Sequence, residues 1–332
     1  MCLYPKLIKN KRYRVNAKNQ GDVPEPQDKR VLFVPAACGK CMQCRKQKSR
    51  EWAVRLSEEI RHDDRGKFIT FTFSDKSLSD LTDAIHNDSK RMAKLLKQNE
   101  NGLSGYNLDN EIATIAMRYF LERWRKKYKK SVKHWFVTEL GGKYTERIHL
   151  HGILWTDVDI DTIANIWKYG HIVLGDGKGT HYVNERTVNY MIKYVHKTDI
   201  KHPEYQQKIL TSAGIGKGYL DRVDSNLNHF NPNGTRDYYI CRNGNKLPLP
   251  TYYRRKIYSD DERESLWLEL LDKETRYVDG IEVDVSESYD NYYKLLAEAR
   301  KKNKVLGYGD DEVNWEKRYY ENQKRMLKRN LI

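Results

Sequence analysis

Two β-prone runs, HWFVTE and RIHLHGILW, are joined by LGGKYTE, and this arrangement constrains the fold more than any other stretch. The glycines suit a turn, so the spacing predicts an antiparallel hairpin. Side chains alternate between the faces of a strand, which sets His149 and His151 on one face and Ile148 and Leu150 on the other. With the turn centred near Tyr144, Glu139 falls opposite His149 and Val137 opposite His151, and directly opposed residues share a face. A one-residue slip would undo that grouping. Among ten histidines, a neighbouring pair arises by coincidence; the sharper reading is a metal, because neutral imidazole is the commonest protein ligand for a divalent ion.

Other elements follow from periodicity. FITFTF (68–73) alternates as a short strand. SREWAVRLSEEIRH has helical spacing in Trp52, Leu56 and Ile60, and IATIAMRYFLERWRKKYKK carries an apolar stripe that ends in a dense basic run. A helix is expected at about 158–168, followed by short strands near HIVLG and THYVN. TVNYMIKYVHK (187–197) reads as a helix whose Val188, Met191, Ile192 and Val195 form one face. Tyr190, Lys193, Tyr194 and Lys197 then cluster on nearly the opposite face. Beyond residue 250 DDERESLWLELLDKE is amphipathic and acidic, and a charged helix is expected from about 314. The reading is an α+β chain with a central antiparallel sheet and flanking helices. It divides into a basic arm and Cys-rich knuckle (1–48), a sheet-bearing domain (49–250) and a helical accessory region (251–332).

A chain of 332 residues can bury a sizeable core. Its 24 tyrosines and seven tryptophans argue against disorder despite 32% charged residues. The net charge of +15 favours a polyanionic partner, whether nucleic acid or an anionic lipid surface. No apolar run is long enough for a membrane span and no signal-peptide core lies near Met1, so a soluble intracellular chain is expected. GIGKG (214–218) lacks the spacing of a Walker A loop, which predicts no NTPase in this chain and a separate helicase for unwinding.

Three of the five cysteines, Cys38, Cys41 and Cys44, fall in CGKCMQC. In a reducing compartment that crowding points to metal rather than disulfides. A closed structural Zn²⁺ site needs four ligands, and Cys2 and Cys241 are both candidates for the fourth. Beside the knuckle, Arg45, Lys46, Lys48 and Arg50 offer a basic surface for a DNA backbone. Arg123, Lys126 and Lys127 read as phosphate contacts in RWRKKYKK, with Trp124 and Tyr128 either stacking on bases or, for Trp124, packing in the core.

A phenol is a poor nucleophile at neutral pH unless it is helped. An ion held by His149, His151 and Glu139 would polarise a phosphate under attack, and Lys193 or Lys197 would offset developing charge. Phosphate oxygens suit Mg²⁺ or Mn²⁺, and two imidazoles with a carboxylate tilt towards Mn²⁺. Two tyrosines four apart allow one to cut and the other to resolve.

At these residues the chain resembles the HUH endonuclease superfamily, in which a His-hydrophobe-His strand precedes a helix bearing one or two catalytic tyrosines. CGKCMQCRKQKSREWAVR, FITFTFSD, TELGGKYTERIHLHGILW, YMIKYVHK, GIGKGYL and LPLPTYYRRKIY together resemble the motif order of microvirus replication-initiation proteins, above all the gokushovirus branch. The resemblance covers about 33–267. It implies an RRM-like core, a site-specific nick in a single-stranded DNA origin, a 5′-phosphotyrosyl link and a 3′-hydroxyl that starts rolling-circle replication. By that resemblance Tyr190 and Tyr194 are the nucleophiles, Lys193 the motif lysine, and His149 and His151 the metal ligands, in a bacterial host's cytoplasm with host helicase and DNA polymerase as partners. The family's Gly-Glu-Tyr-Gly-Glu is TELGGK here, which keeps Glu139 as third ligand, with Glu146 as the fallback. The competing readings are a related HUH transposase or relaxase, and a zinc-containing nucleic-acid-binding protein without catalysis.

Overall fold

A computed structural model describes residues 2–98, 105–141, 146–175, 182–198, 202 and 205–310. Tyr144 at the hairpin turn and the tail helix expected from 314 lie outside them. The chain forms two compact units, one from residues 52–197 and 205–222, the other from 1–51, 198–204 and 223–332.

The strands β1 (Lys6–Lys9) and β2 (Phe33–Ala36) pair antiparallel ahead of the long helix α1 (Met42–His62). After it come β3 (Gly66–Phe71), α2 (Asp75–Asn87), α3 (Ser89–Gln98) and α4 (Gly105–Tyr128). Next are β4 (Lys133–Leu140), β5 (Ile148–Trp155), α5 (Ile160–Trp167) and β6 (Ile172–Leu174). Helix α6 (Glu185–His196) and β7 (Ile209–Thr211) complete the sheet-bearing unit.

Its five strands pair antiparallel in the order β6-β3-β5-β4-β7, so the histidine strand is central. Glu139 pairs with His149 and Val137 with His151, the register read from the sequence. Alternation then sorts the side chains. Ile69, Phe71, Phe136, Ile148, Leu150 and Leu154 join one core with Ile112, Ile115, Phe120 and Trp124 of α4 and Trp167 of α5. Phe71 stacks on Trp167 with centroids 4.2 Å apart. Burying an aromatic of this size contributes roughly 1.5–3 kcal/mol.

The opposite face packs Trp135, Val137 and Ile153 beneath Val188, Met191, Ile192 and Val195 of α6. Asn184 starts that helix with a capping box, accepting from the Thr187 amide at 3.0 Å. Both helical faces expected for TVNYMIKYVHK are therefore realised. THYVN forms no strand among its described residues; Tyr182 makes a lone bridge to Lys67.

The second unit also holds the hairpin β8 (Tyr238–Ile240)–β9 (Lys246–Pro248), α7 (Thr251–Ile257) and α8 (Asp260–Asp272). A hairpin, β10 (Thr275–Val278) with β11 (Ile281–Asp284), follows, and α9 (Asp290–Val305) comes last. Residues 251–310 are thus not purely helical. Asp279 and Gly280 sit at φ 47° and 88°, the left-handed pair that closes a tight hairpin between β-branched flanks. Helix α1 also begins earlier than SREWAVRLSEEIRH implies, because the Asn303 side chain accepts from the Met42 amide at 2.8 Å and caps a turn without apolar periodicity. Among the described residues no helix is long and apolar enough to cross a membrane.

Candidate active site

The face of β5 that carries His149 and His151 is only partly buried, whereas Ile148 and Leu150 are fully enclosed. Glu139 on β4 reaches across: its Oε2 lies 2.8 Å from His151 Nε2. On the other flank, Thr70 of β3 pairs with His151 in register, and its hydroxyl shares a 2.8 Å hydrogen bond with His151 Nδ1. Both ring nitrogens of His151 are therefore fixed by neighbouring strands. Lys197 Nζ stands 3.6 Å from Glu139 Oε1.

His149 is set apart from that pair. Its ring centroid is 6.4 Å from that of His151, and it lies against Gly141, where a Cβ would come within 3.0 Å of its Cε1. Burial foremost, then the adjacent His151, lowers its pKa below the ordinary 6.5, which keeps it neutral at pH 7 and able to act as a ligand. Glu139, His149 and His151 thus share a face without closing on one point. Glu146 precedes the strand and is exposed.

Helix α6 brings both tyrosines to this face. The Tyr194 ring stacks flat on His151, with centroids 4.6 Å apart. Its hydroxyl donates to the Tyr190 hydroxyl at 2.6 Å, and Tyr190 rests edge-on against Phe68 at 6.0 Å. Tyr190 is 42% exposed. Burial first, then the bond to Tyr190 and the nearby Glu139 charge, raises the pKa of Tyr194 well above the ordinary phenol value. Lys193 is exposed on the same helix.

The fit to a divalent ion rests on the donor set. Two ligands at about 2.1 Å on adjacent corners of an octahedron stand about 3 Å apart, and the 2.8 Å between His151 Nε2 and Glu139 Oε2 matches that edge. His149 would be the third ligand after reorienting its ring.

The other expected residues divide sharply. Trp124 is 3% exposed and packs with Phe120 and Tyr128, so it is a core residue with no face to offer a base. Arg123 donates to the carbonyls of Ile166 and Trp167 and to the Tyr169 hydroxyl, closing the end of α5 instead of meeting a phosphate. Lys126 and Lys127 are exposed. In the other unit Arg45 is 5% exposed beneath the Tyr308 ring, and Lys46 pairs with Asp279 at 3.2 Å. Neither offers the open basic surface expected of it. Cys2, Cys38, Cys41 and Cys44 bring their sulfurs within 4.8 Å of one another, a group able to hold a metal such as zinc; Cys241 is not in it.

Sequence reasoning missed Thr70 as a partner of His151. Its signal was present: a threonine on alternate positions of FITFTF, on the strand that neighbours the histidines.

Residues 105–199 match the family model of the replication-associated protein ORF2, a span running from α4 through both tyrosines. The chain is 22% identical over 285 residues to "Replication-associated protein ORF4" of Chlamydia phage 1, covering 80% of this chain and 64% of that protein. It is 27% identical over 235 residues to "Replication-associated protein VP4" of Bdellovibrio phage phiMH2K, covering 65% of each. The chain therefore spans just under two thirds of either relative's length. No solved structure matches it. The resemblance to phage replication proteins read from the motifs is borne out.

Proposed function

We propose that this chain, similar over most of its length to phage replication-associated proteins, initiates rolling-circle replication of a small single-stranded DNA phage by nicking and rejoining its origin. The observation that carries the reading is the Tyr194 ring lying flat on His151, with the Tyr190 hydroxyl 2.6 Å from that of Tyr194. Paired phenols over an imidazole–carboxylate pair suit transesterification of a phosphodiester. The sheet-and-helix unit corresponds, in this reading, to an RRM-like HUH core.

One phenol oxygen attacks the scissile phosphorus. A Tyr–O–P bond forms as the bond to the 3′ oxygen breaks. The phenol proton passes to solvent or a neighbouring base, and the departing oxygen takes up a proton to become a 3′-hydroxyl. Reversal by that hydroxyl, or transfer to the second tyrosine, rejoins or moves the strand without an external energy source. His149, His151 and Glu139 would hold Mg²⁺ or Mn²⁺, which when bound supplies electrophilic help at the phosphate. Lys193, exposed beside the tyrosines, and Lys197, near Glu139, supply positive charge towards the backbone. The setting is a bacterial host's cytoplasm, with single-stranded origin DNA as substrate and host helicase and polymerase as partners.

The test is incubation with single-stranded oligonucleotides spanning the phage origin and Mn²⁺, followed by a denaturing gel. A protein–DNA adduct is expected, and it should vanish in the Tyr190→Phe, Tyr194→Phe double variant. Binding without any adduct would establish a non-catalytic DNA-binding protein in its place.

A further inference from the structure

The second unit is assembled from pieces far apart in sequence, and four sulfurs meet at its centre. Cys2 Sγ lies 4.0 Å from Cys41 Sγ, and Cys38 Sγ lies 3.9 Å from Cys44 Sγ. A disulfide needs about 2.05 Å. Four thiolates on one tetrahedral Zn²⁺, each at about 2.3 Å, stand about 3.8 Å apart. The observed spacing is that of tetrahedron edges.

The backbone around the sulfurs suits thiolates. The amides of Tyr4 and Cys38 donate to Cys2 Sγ, both at 3.3 Å. The Cys41 amide donates to Cys38 Sγ at 3.4 Å, and the Leu3 amide to Cys41 Sγ at 3.5 Å. Gly39, at φ 77°, makes the tight bend between Cys38 and Cys41. Cys41 directly precedes α1 and Cys44 lies in its first turn, where the helix dipole favours negative charge. These contacts supply the second shell that a metal–sulfur centre requires.

A wrapping closes over the knuckle. Leu3, Tyr4, Cys41, Met42 and Cys44 bury against Val278 of β10 and Leu296 and Ala299 of α9. Arg300 on α9 donates twice to the Leu3 carbonyl, at 3.0 and 2.9 Å, and lies over the Tyr4 ring at 4.9 Å. Lys46 and Lys302 converge on Asp279 at the hairpin tip.

We propose that Cys2, Cys38, Cys41 and Cys44 bind one Zn²⁺ as a closed structural site, and that the β10–β11 hairpin and α9 are the sleeve this site organises. Cys2, not Cys241, is the fourth ligand. The ion fastens the segment ahead of β1 to the start of α1, and the surface so formed is what α9 packs on. Each thiol gives up its proton as its sulfur–zinc bond forms. The site takes no part in the nicking reading and stands or falls without it.

The test uses the full chain purified without added metal. Elemental analysis should find about one zinc per chain, retained in Cys241→Ser and lost in a Cys38→Ser, Cys41→Ser double variant. Should that variant fail to fold, alkylation of the unaltered protein decides: Cys241 is modified at once, and the other four only after a strong chelator is added. Amide exchange in 290–305 should accelerate on chelation. Zinc below a tenth per chain with all five cysteines reacting alike would overturn the site, as would iron with acid-labile sulfide. Zinc present but exchange in α9 unchanged by chelation would overturn the sleeve.

Discussion

The Tyr194 ring lies parallel to the His151 imidazole at 4.6 Å, so a phenol from the helix and a ring from the central strand share one stack. The contact joins two elements separated in sequence by α5 and β6. It also explains the orientation of the phenol pair: with Tyr194 pressed on the imidazole, its hydroxyl is delivered to Tyr190, whose own ring stays open to solvent.

Thr70 should set the ligand strength of His151. A hydroxyl accepting from Nδ1 holds the tautomer whose Nε2 lone pair faces Glu139. Thr70→Val is expected to weaken Mn²⁺ binding by about 10-fold or more, with Thr70→Ser restoring most of it. Titration calorimetry on the protein without DNA reads this directly; equal affinities in all three would remove Thr70 from the site.

Gly152 should be intolerant of any side chain. A Cβ there would fall 2.2 Å from the Trp135 carbonyl oxygen and 2.4 Å from the Phe136 ring. Gly152→Ala is expected to cost about 1–3 kcal/mol in urea denaturation, through overpacking beside the histidine strand. An unchanged midpoint would mean that β4 and β5 can separate more freely than their ladder implies.

Acid should loosen the sheet-bearing unit through Asp63. Arg65 grips both carboxylate oxygens at 2.8 Å, and Lys133 adds a contact at 3.2 Å. Chiefly through Arg65, the group falls from its ordinary 3.8 to about 2. A depressed folded value means that this contribution is fully present above pH 3.8 and is lost as pH falls towards 2. Asp63→Asn should therefore be less stable than the parent at pH 6, and the gap should shrink between pH 4 and 2. A gap that stays constant across that window would count against the ion pair.

Trp124 and its basic neighbours should separate in their effects. Trp124→Ala removes a core aromatic and is expected to cost about 3–5 kcal/mol. Lys126→Ala with Lys127→Ala should leave the melting temperature within a degree or two while weakening binding to single-stranded DNA and flattening its salt dependence. If the lysine pair changes stability but not binding, the phosphate assignment of this helix end is wrong.

Much of this was legible in the sequence because strands and helices repeat with fixed periods. The pairing of Glu139 with His149 followed from a glycine turn and a two-residue alternation, and the Tyr190/Tyr194 face from the helical angle between residues four apart. What periodicity cannot supply is which distant elements meet. Cys2 and Cys241 were equal candidates until tertiary packing brought Cys2 beside Cys41. Arg123 and Trp124 sit in a run that looks basic and aromatic in one dimension, yet the turn of α4 points the indole inward and lays the guanidinium across α5. Thr70 was visible as a strand residue but not as a partner, since its role depends on β3 lying beside β5. The β10–β11 hairpin, by contrast, was readable: its Asp-Gly pair between alternating apolar residues was passed over in favour of the surrounding helical pattern.

The place of β5 in the middle of the sheet has a mechanical consequence. Hydrogen-bonded on both edges, it offers the imidazoles a backdrop that cannot shift without tearing two ladders at once. Any exchange of duty between the phenols is left to side-chain rotation on α6, a motion of nanoseconds once an aromatic is free of its stack. A catalyst laid out this way alternates its nucleophiles by swinging two rings above a fixed floor.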